Sequence, residues 1–412
     1  MNTGSILALD APRAEGQSWS ATPASLTQSG HSLHPAALHS EWRSLADLSG
    51  IAPQWRALAA DALEPNVFYE PAFALAAAEK FGRGAGAVLI WSGTTRQRLI
   101  GLFPARIEPR RYGLPLPLLV GWTHPYAPFG VPLVETESAL AAISAWLDFI
   151  AQAQTLPCIV LLPYLRHDGP FAALLHAALA SRQGQAIASA PYQRAMLAPA
   201  ADRTGYERRA LSGKKHRELR RQARRLADHG ALSIVHANGP LAVVAGLEDF
   251  LLLESAGWKG RAHTAAERDP AIRAFMVNAV RGLAASGQAS VTRLVVDGQP
   301  IAVGVVLRSG SAAWFWKIAY DEAYASASPG VQLTRGLTER LLADATLSHT
   351  DSCATADHPM IDHLWRERLS LVDLLITPSH SSTTRFALVC RLESLRQRAI
   401  SILRVLKQRL SM

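Results

Sequence analysis

One succession of elements occurs twice in this chain, about two hundred residues apart, and it limits the folds available more than any single motif does. Pro71-Ala72-Phe73 opens a helical stretch, and so does Pro270-Ala271-Ile272. Each stretch leads into an apolar run, Ala87-Val88-Leu89-Ile90 and Ser290 to Val296. Each run meets a polar turn and a second run, from Leu99 to Pro104 and from Pro300 to Val305. The turn in the second copy is Asp297-Gly298, a pair suited to a tight hairpin because both positions tolerate positive φ. Repeats outrank local reading, so two copies of one helix-and-strand module are the simplest account. Alternating helices and short apolar strands place the chain in the α/β or α+β class, with a mixed sheet flanked by helices in each module.

The remaining segments fit around these copies. Residues 1–37 are rich in Ser, Ala, Pro, Gly and Thr without periodicity and read as a disordered tail. The first module spans 38–198, with helices expected over Trp55–Leu63, Pro71–Phe81, Ala139–Gln152 and Phe171–Arg182. Strands are expected over Ala87–Trp91, Leu99–Ile107 and Cys158–Leu162. Tyr112 to Pro132 is a loop rich in Pro, Gly and aromatics, holding Trp122, His124, Tyr126 and Phe129. It is a candidate pocket wall or a cover over the edge of the core. The second module spans 199–378, with a short helix over Met360–Arg368 and a last strand over Leu369–Ile376. Residues 379–412 read as a basic amphipathic helix. Phe386, Val389, Leu392, Leu395, Ile400, Leu403, Leu406 and Leu410 form its apolar stripe, and Arg and Lys from Arg391 onward flank it. Such a helix packs on its own domain or lies on an anionic membrane surface.

The formal net charge of +9 is concentrated. Ten basic residues fall between Arg203 and Arg225, against Glu207 and Glu218. Lys214, Arg217 and Arg221 share one helical stripe, able to meet tRNA, a CoA phosphate, an anionic polysaccharide or a membrane. Cys158, Cys353 and Cys390 are too scattered for a metal site, so no metal is expected. With neither a secretory leader nor a run long enough to span a bilayer, the expectation is a cytoplasmic protein.

Trp314-Phe-Trp-Lys-Ile-Ala-Tyr320 reads as a buried strand that runs through Ser328-Pro329-Gly330 into a helix from Val331 to Leu342. A helix N-terminus reached this way presents unpaired N–H groups and the positive end of a dipole, which favour an anion such as pyrophosphate. An ordinary strand-to-helix connection reads the same way. Neither a Walker loop nor a Gly-x-Gly-x-x-Gly accompanies it. Glu254 follows an apolar run, Phe250 to Leu253, where desolvation would raise its basicity; a structural pair with Lys259 is the alternative. Lys317 lies inside the aromatic strand, where its charge needs a partner or a cleft. Asp357 and His358 can relay a proton or simply turn the chain ahead of Pro359. Tyr320 and Tyr324 can donate a proton or line a rim.

In order, Glu254-Ser-Ala-Gly-Trp258-Lys259-Gly260, the Asp297-Gly298 hairpin, Lys317-Ile-Ala-Tyr320-Asp321-Glu-Ala-Tyr324 and Ser328-Pro329-Gly330 resemble the GNAT acyltransferase superfamily. The likeness is to its branch of CelD-type acetyltransferases of cellulose biosynthesis and Fem-type aminoacyltransferases, and it is stronger over 200–378 than over 38–195. It implies a tandem GNAT fold with acetyl-CoA or another acyl-CoA as co-substrate. The backbone of Ser328, Pro329, Gly330, Val331, Gln332 and Leu333 would hold the pyrophosphate. Glu254, Lys317, Asp357 and His358 would be the catalytic candidates. Trp258, Lys259, Tyr320 and Tyr324, with Lys214, Arg217 and Arg221, would contact substrate. The acceptor would be a small molecule or saccharide amine or hydroxyl, in envelope or exopolysaccharide assembly. A Fem-like enzyme drawing on aminoacyl-tRNA and a non-catalytic scaffold of a membrane-associated synthase are the alternatives. Asp357-His358-Pro359 departs from the Gly-Asp with a following Lys of Fem patterns.

Overall fold

The computed structural model describes residues 37–93, 96–198, 205–379 and 383–410, so the expected N-terminal tail lies outside the described residues. The first half runs β1 (Leu38–Ser44), α1 (Ala52–Ala60), α2 (Pro71–Phe81), β2 (Ala85–Ser92), β3 (Arg98–Glu108), β4 (Leu118–Gly121), β5 (Leu133–Val134), α3 (Ala139–Gln152), β6 (Val160–Arg166), α4 (Pro170–Ala180) and β7 (Gln185–Leu197). The second runs α5 (Tyr206–Ala210), α6 (Gly213–Ala227), β8 (Leu232–Ala237), α7 (Pro240–Ala256), α8 (Trp258–Arg261), α9 (Pro270–Ala285), β9 (Ala289–Val296), β10 (Gln299–Ser309), β11 (Ala312–Tyr320), α10 (Pro329–Ala343), β12 (His349–Asp351), β13 (Glu367–Thr377) and α11 (Thr383–Leu410).

The thirteen strands form one mixed sheet in the order β1-β2-β3-β4-β6-β13-β7-β12-β11-β10-β9-β8, with β5 on the side of β3. The two ends of that path mirror each other. β1, β2, β3 and β4 pair antiparallel in turn, and β4 then pairs parallel with β6 after a crossover through α3. β8, β9, β10 and β11 pair antiparallel in turn, and β11 pairs parallel with β12 after a crossover through α10. The repeat legible in the sequence is therefore a repeat of topology. The halves exchange their last strands at the centre: β13 lies between β6 and β7, and β7 pairs with β12. The division near residue 199 is one of sequence; the sheet runs across it.

Local chemistry accounts for the elements that repeat. Pro71 and Pro270 each stand in the first turn of a helix, where a missing N–H costs nothing. The carboxylate of Asp269 caps α9 by accepting the N–H groups of Ala271 and Ile272. The Asp297-Gly298 turn has φ of 46° and 79°, the left-handed pair a two-residue hairpin needs. Helices α2 and α9 pack on one another: Phe73 and Phe275 meet edge to face at 5.3 Å, and Lys80 pairs with Asp269 at 2.6 Å. One apolar core, from Leu45 to Ile376, runs through both halves.

Several elements depart from the sequence expectation. β4 lies inside the loop expected from Tyr112 to Pro132. β7 carries Pro191 and weak alternation, and β12 has three residues, so each is a strand only because of its neighbours in the sheet. The helix expected over Met360–Arg368 is a single 3-10 turn at Ile361–His363, and β13 has begun by Glu367. Trp365 explains the difference: its ring is buried and its Nε1–H donates to Thr338 Oγ1 at 2.9 Å, which holds the segment down on α10.

Candidate active site

β11 and β12 stay paired only as far as Trp314 and Asp351. Beyond that point β11 continues to Tyr320 while the other chain turns away at Cys353, whose φ is 53°. The sheet opens there, leaving one edge of β11 unpaired between Phe315 and Tyr320. Trp316 forms a bulge, since Val305 faces Lys317 while Val306 faces Phe315. A bulge re-aims side chains at a sheet opening.

Lys317 occupies this opening. Its ammonium lies 4.2 Å from the ring centre of Tyr126 and 5.6 Å from that of Trp316. It forms no ion pair among the described residues. Burial, and then the charge of Lys259, push its pKa down to about 8, against the pull of Glu254. Tyr126 comes from the first half, so the wall of the opening is shared. Its main-chain carbonyl accepts the Trp316 Nε1–H at 2.8 Å, and burial followed by the charge of Glu254 pushes its phenol up to about 12. His124 lies beside it, stacked on Phe81 at 4.3 Å. Burial and then the charge of Lys317 hold its pKa down at about 3, so the imidazole is neutral. Its Nδ1 accepts the Tyr126 N–H at 3.4 Å, and its buried Nε2 has no partner.

Glu254 ends α7 and is buried. One oxygen accepts from Lys259 Nζ at 2.6 Å and the other accepts the Ala266 N–H at 2.8 Å. The pair with Lys259 weighed at the sequence level is thus formed, and Glu254 sets the field around Lys317 from behind it. Trp258 is 58% exposed, with Lys259 Nζ 5.9 Å from its ring centre, and forms an outer lip.

The N-terminus of α10 lies at the same opening. Ser328 is left-handed, with φ 52° and ψ 55°, and no side chain caps the helix. The N–H groups of Val331 and Gln332 turn back to the Ser328 carbonyl at 3.0 and 3.1 Å. Of the amides expected to point outward, Gly330 is left. Pro329, Gly330, Gln332 and Leu333 are all buried, and Gln332 Nε2 donates to the Leu219 carbonyl of α6. A Cβ on Gly330 would meet Tyr320, Ile318 and Met360 at 3.4 to 3.7 Å, so these side chains bound the space over that amide. The cradle is narrower than a run of six free backbone groups. Tyr320 borders it; Tyr324 instead meets His229 edge to face at 5.4 Å. Asp357 is an exposed turn residue with φ 56°, and His358 Nδ1 accepts the Met360 N–H. No hydrogen bond or ion pair joins either to Glu254 or Lys317. Lys214, Arg217 and Arg221 are exposed on α6, which packs against α10.

In the first half the matching opening, beyond β4 and β6, is filled. The Gly130 N–H donates to the Tyr164 carbonyl at 3.2 Å, and a Cβ on Gly130 would meet the Pro163 carbonyl oxygen at 2.0 Å. The aromatic loop that closes this copy reaches across to line the other. The sequence marked that loop as a possible pocket wall, but nothing in it signals that Tyr126 lies over Lys317.

Among the described residues no group of three His, Cys, Asp or Glu is placed to hold a metal, and no helix is long and apolar enough to cross a membrane. Comparison with curated proteins gives no match. The chain is similar in fold to the C-terminal domain (DUF2156) of a putative lysylphosphatidylglycerol synthetase from Agrobacterium fabrum: TM-score 0.50, 11% identity, covering 83% of this chain and 95% of that one. It is also similar to FemX, with TM-score 0.52 and 11% identity over 79% of this chain and 95% of that one. Residues 213–358 match the family model of the acetyltransferase (GNAT) domain, Acetyltransf_6. That segment holds α6, the whole of β11 and the α10 N-terminus, so the match to a GNAT acetyltransferase domain falls on the half of the sheet that opens beside β11.

Proposed function

We propose that this chain is an acyl-CoA-dependent acyltransferase whose acceptor, an amine or hydroxyl, enters the opening beside β11. The observation that carries this reading is Lys317: a lysine without a carboxylate partner, with its pKa near 8, at the point where the sheet splits and an uncapped helix begins. A lysine so tuned is a competent base near neutral pH. Acetyl-CoA or a longer acyl-CoA would lay its pyrophosphate over Ser328 and Gly330, aided by the basic face of α6. The unpaired edge of β11 offers N–H groups to the thioester carbonyl, the kind of donor that stabilises a tetrahedral oxyanion.

The acceptor nitrogen or oxygen attacks the thioester carbon, and its proton passes to the neutral Lys317 amine. The C–S bond then breaks, and the leaving thiolate takes that proton back, so the products are acylated acceptor and free CoA. Lys317 ends as it began. Glu254 acts one step removed, by holding Lys259. Release of CoA thiol on mixing acetyl-CoA with panels of amines and saccharides tests the reading. Absence of thermal stabilisation by acetyl-CoA or any longer acyl-CoA would count decisively against it.

The acceptor class of envelope or exopolysaccharide saccharides rests on the family resemblance alone. A second reading, transfer from an aminoacyl-tRNA, has one observation in its favour. Arg217, Arg220, Arg221, Arg224 and Arg225 are exposed on α6, and none has a carboxylate partner among the described residues. That reading requires tRNA affinity that falls steeply with salt.

A further inference from the structure

We infer that α11 seats the protein on an anionic lipid surface through the helix face turned away from the sheet. The helix has two apolar faces. The inner one is occupied: Phe386 and Val389 pack with Leu118, Val120 and Ile159, and Cys390 lies against them. Glu393 locks that face, accepting from Arg111 Nε at 3.0 Å and from the Tyr112 hydroxyl at 2.8 Å. The outer face carries Leu388, Leu395 and Ile402, seven residues apart and 44%, 60% and 60% exposed. At 3.6 residues per turn, that spacing makes a single stripe along the axis.

Arginines border the stripe on both sides. Arg391 and Arg398 fall along one flank and Arg385 along the other; all three are exposed, and none has a carboxylate partner among the described residues. Glu393 is the only acidic residue between Thr383 and Leu410, and it is buried. The outward surface is therefore apolar and cationic, with no negative charge.

This composition selects the occupant. A second copy of the helix would set arginine against arginine. A nucleic acid would satisfy the arginines and leave three large apolar side chains wet. A bilayer with anionic headgroups satisfies both at once: the leucine stripe enters the acyl boundary while the guanidinium groups stay with the phosphates. The inference is independent of the acyltransferase reading, because it concerns the far side of the first half of the sheet.

The test is co-sedimentation of the full chain with vesicles of phosphatidylcholine, with and without a third phosphatidylglycerol. Binding is expected with the anionic vesicles, about tenfold weaker with neutral ones, and reduced by salt. Leu395→Gln with Ile402→Gln should cut binding at least about tenfold, and Arg391→Gln with Arg398→Gln should remove the preference for anionic lipid. These side chains face solvent, so circular dichroism should be unchanged. Failure to sediment with anionic vesicles overturns the inference, as does equal binding by wild type and both variants. Concentration-dependent dimerisation abolished by the Leu395 and Ile402 changes overturns it too, and assigns the stripe to a second copy.

Discussion

Replacing Lys317 by Met should make the protein more stable at neutral pH, and the gain should disappear in alkali. The ammonium sits in a half-buried position without a counter-ion, and its pKa falls from 10.5 to about 8. That difference corresponds to about 3 kcal/mol. Below pH 8 the lysine is protonated in both folded and unfolded chains, so the folded protein bears the whole cost. Between pH 8 and 10.5 the folded state releases the proton and the unfolded state retains it, so wild-type stability rises with pH. Above 10.5 both states are neutral and the cost is gone. Methionine has nearly the same length and no charge, so the variant should exceed wild type by about 3 kcal/mol at pH 7 and match it near pH 10.5. Urea unfolding at pH 7, 8.5 and 10 reads this directly. A variant less stable than wild type at pH 7, or a difference that does not change with pH, would show that Lys317 bears no buried charge.

The same lysine predicts an activity profile: kcat/KM should climb about tenfold per pH unit below 8 and level off above it, and Lys317→Arg should be inactive because a guanidinium does not give up its proton. Glu254→Gln removes the charge that opposes Lys259, so the ascending limb should move to lower pH; an unmoved limb would separate Glu254 from the site. Ser328→Asp keeps a residue type that tolerates the left-handed backbone but sets a negative charge where pyrophosphate is expected, so CoA affinity measured by calorimetry should fall at least about tenfold with little change in melting temperature. Arg194 and Asp351 form a buried ion pair between β7 and β12. Arg194→Met alone should cost about 3–5 kcal/mol in urea unfolding, and the added Asp351→Leu should recover most of it.

Much of the second half was open to sequence reading because its signals are local. Pro270, the Asp297-Gly298 turn and the aromatic run into Pro329 each act over a few residues, and the elements they announce are where expected. The candidate site was half legible. Glu254, Lys317 and Lys259 stand out as charges in apolar surroundings, and their fields do reach one another. Tyr126 and His124 did not stand out as partners of Lys317, since they lie almost two hundred residues away and meet it only through the packing of two modules.

The chain by itself settles that two like modules follow one another and that a helix begins at Pro329, because turn and cap chemistry works over neighbouring residues. Which opening is filled, which half lends its aromatic loop, and that β7 and β13 trade places are decided by tertiary structure. Those outcomes depend on hydrogen-bond partners and contacts distant in sequence, and strands as weakly patterned as β7 and β12 acquire their conformation only from the neighbours beside them.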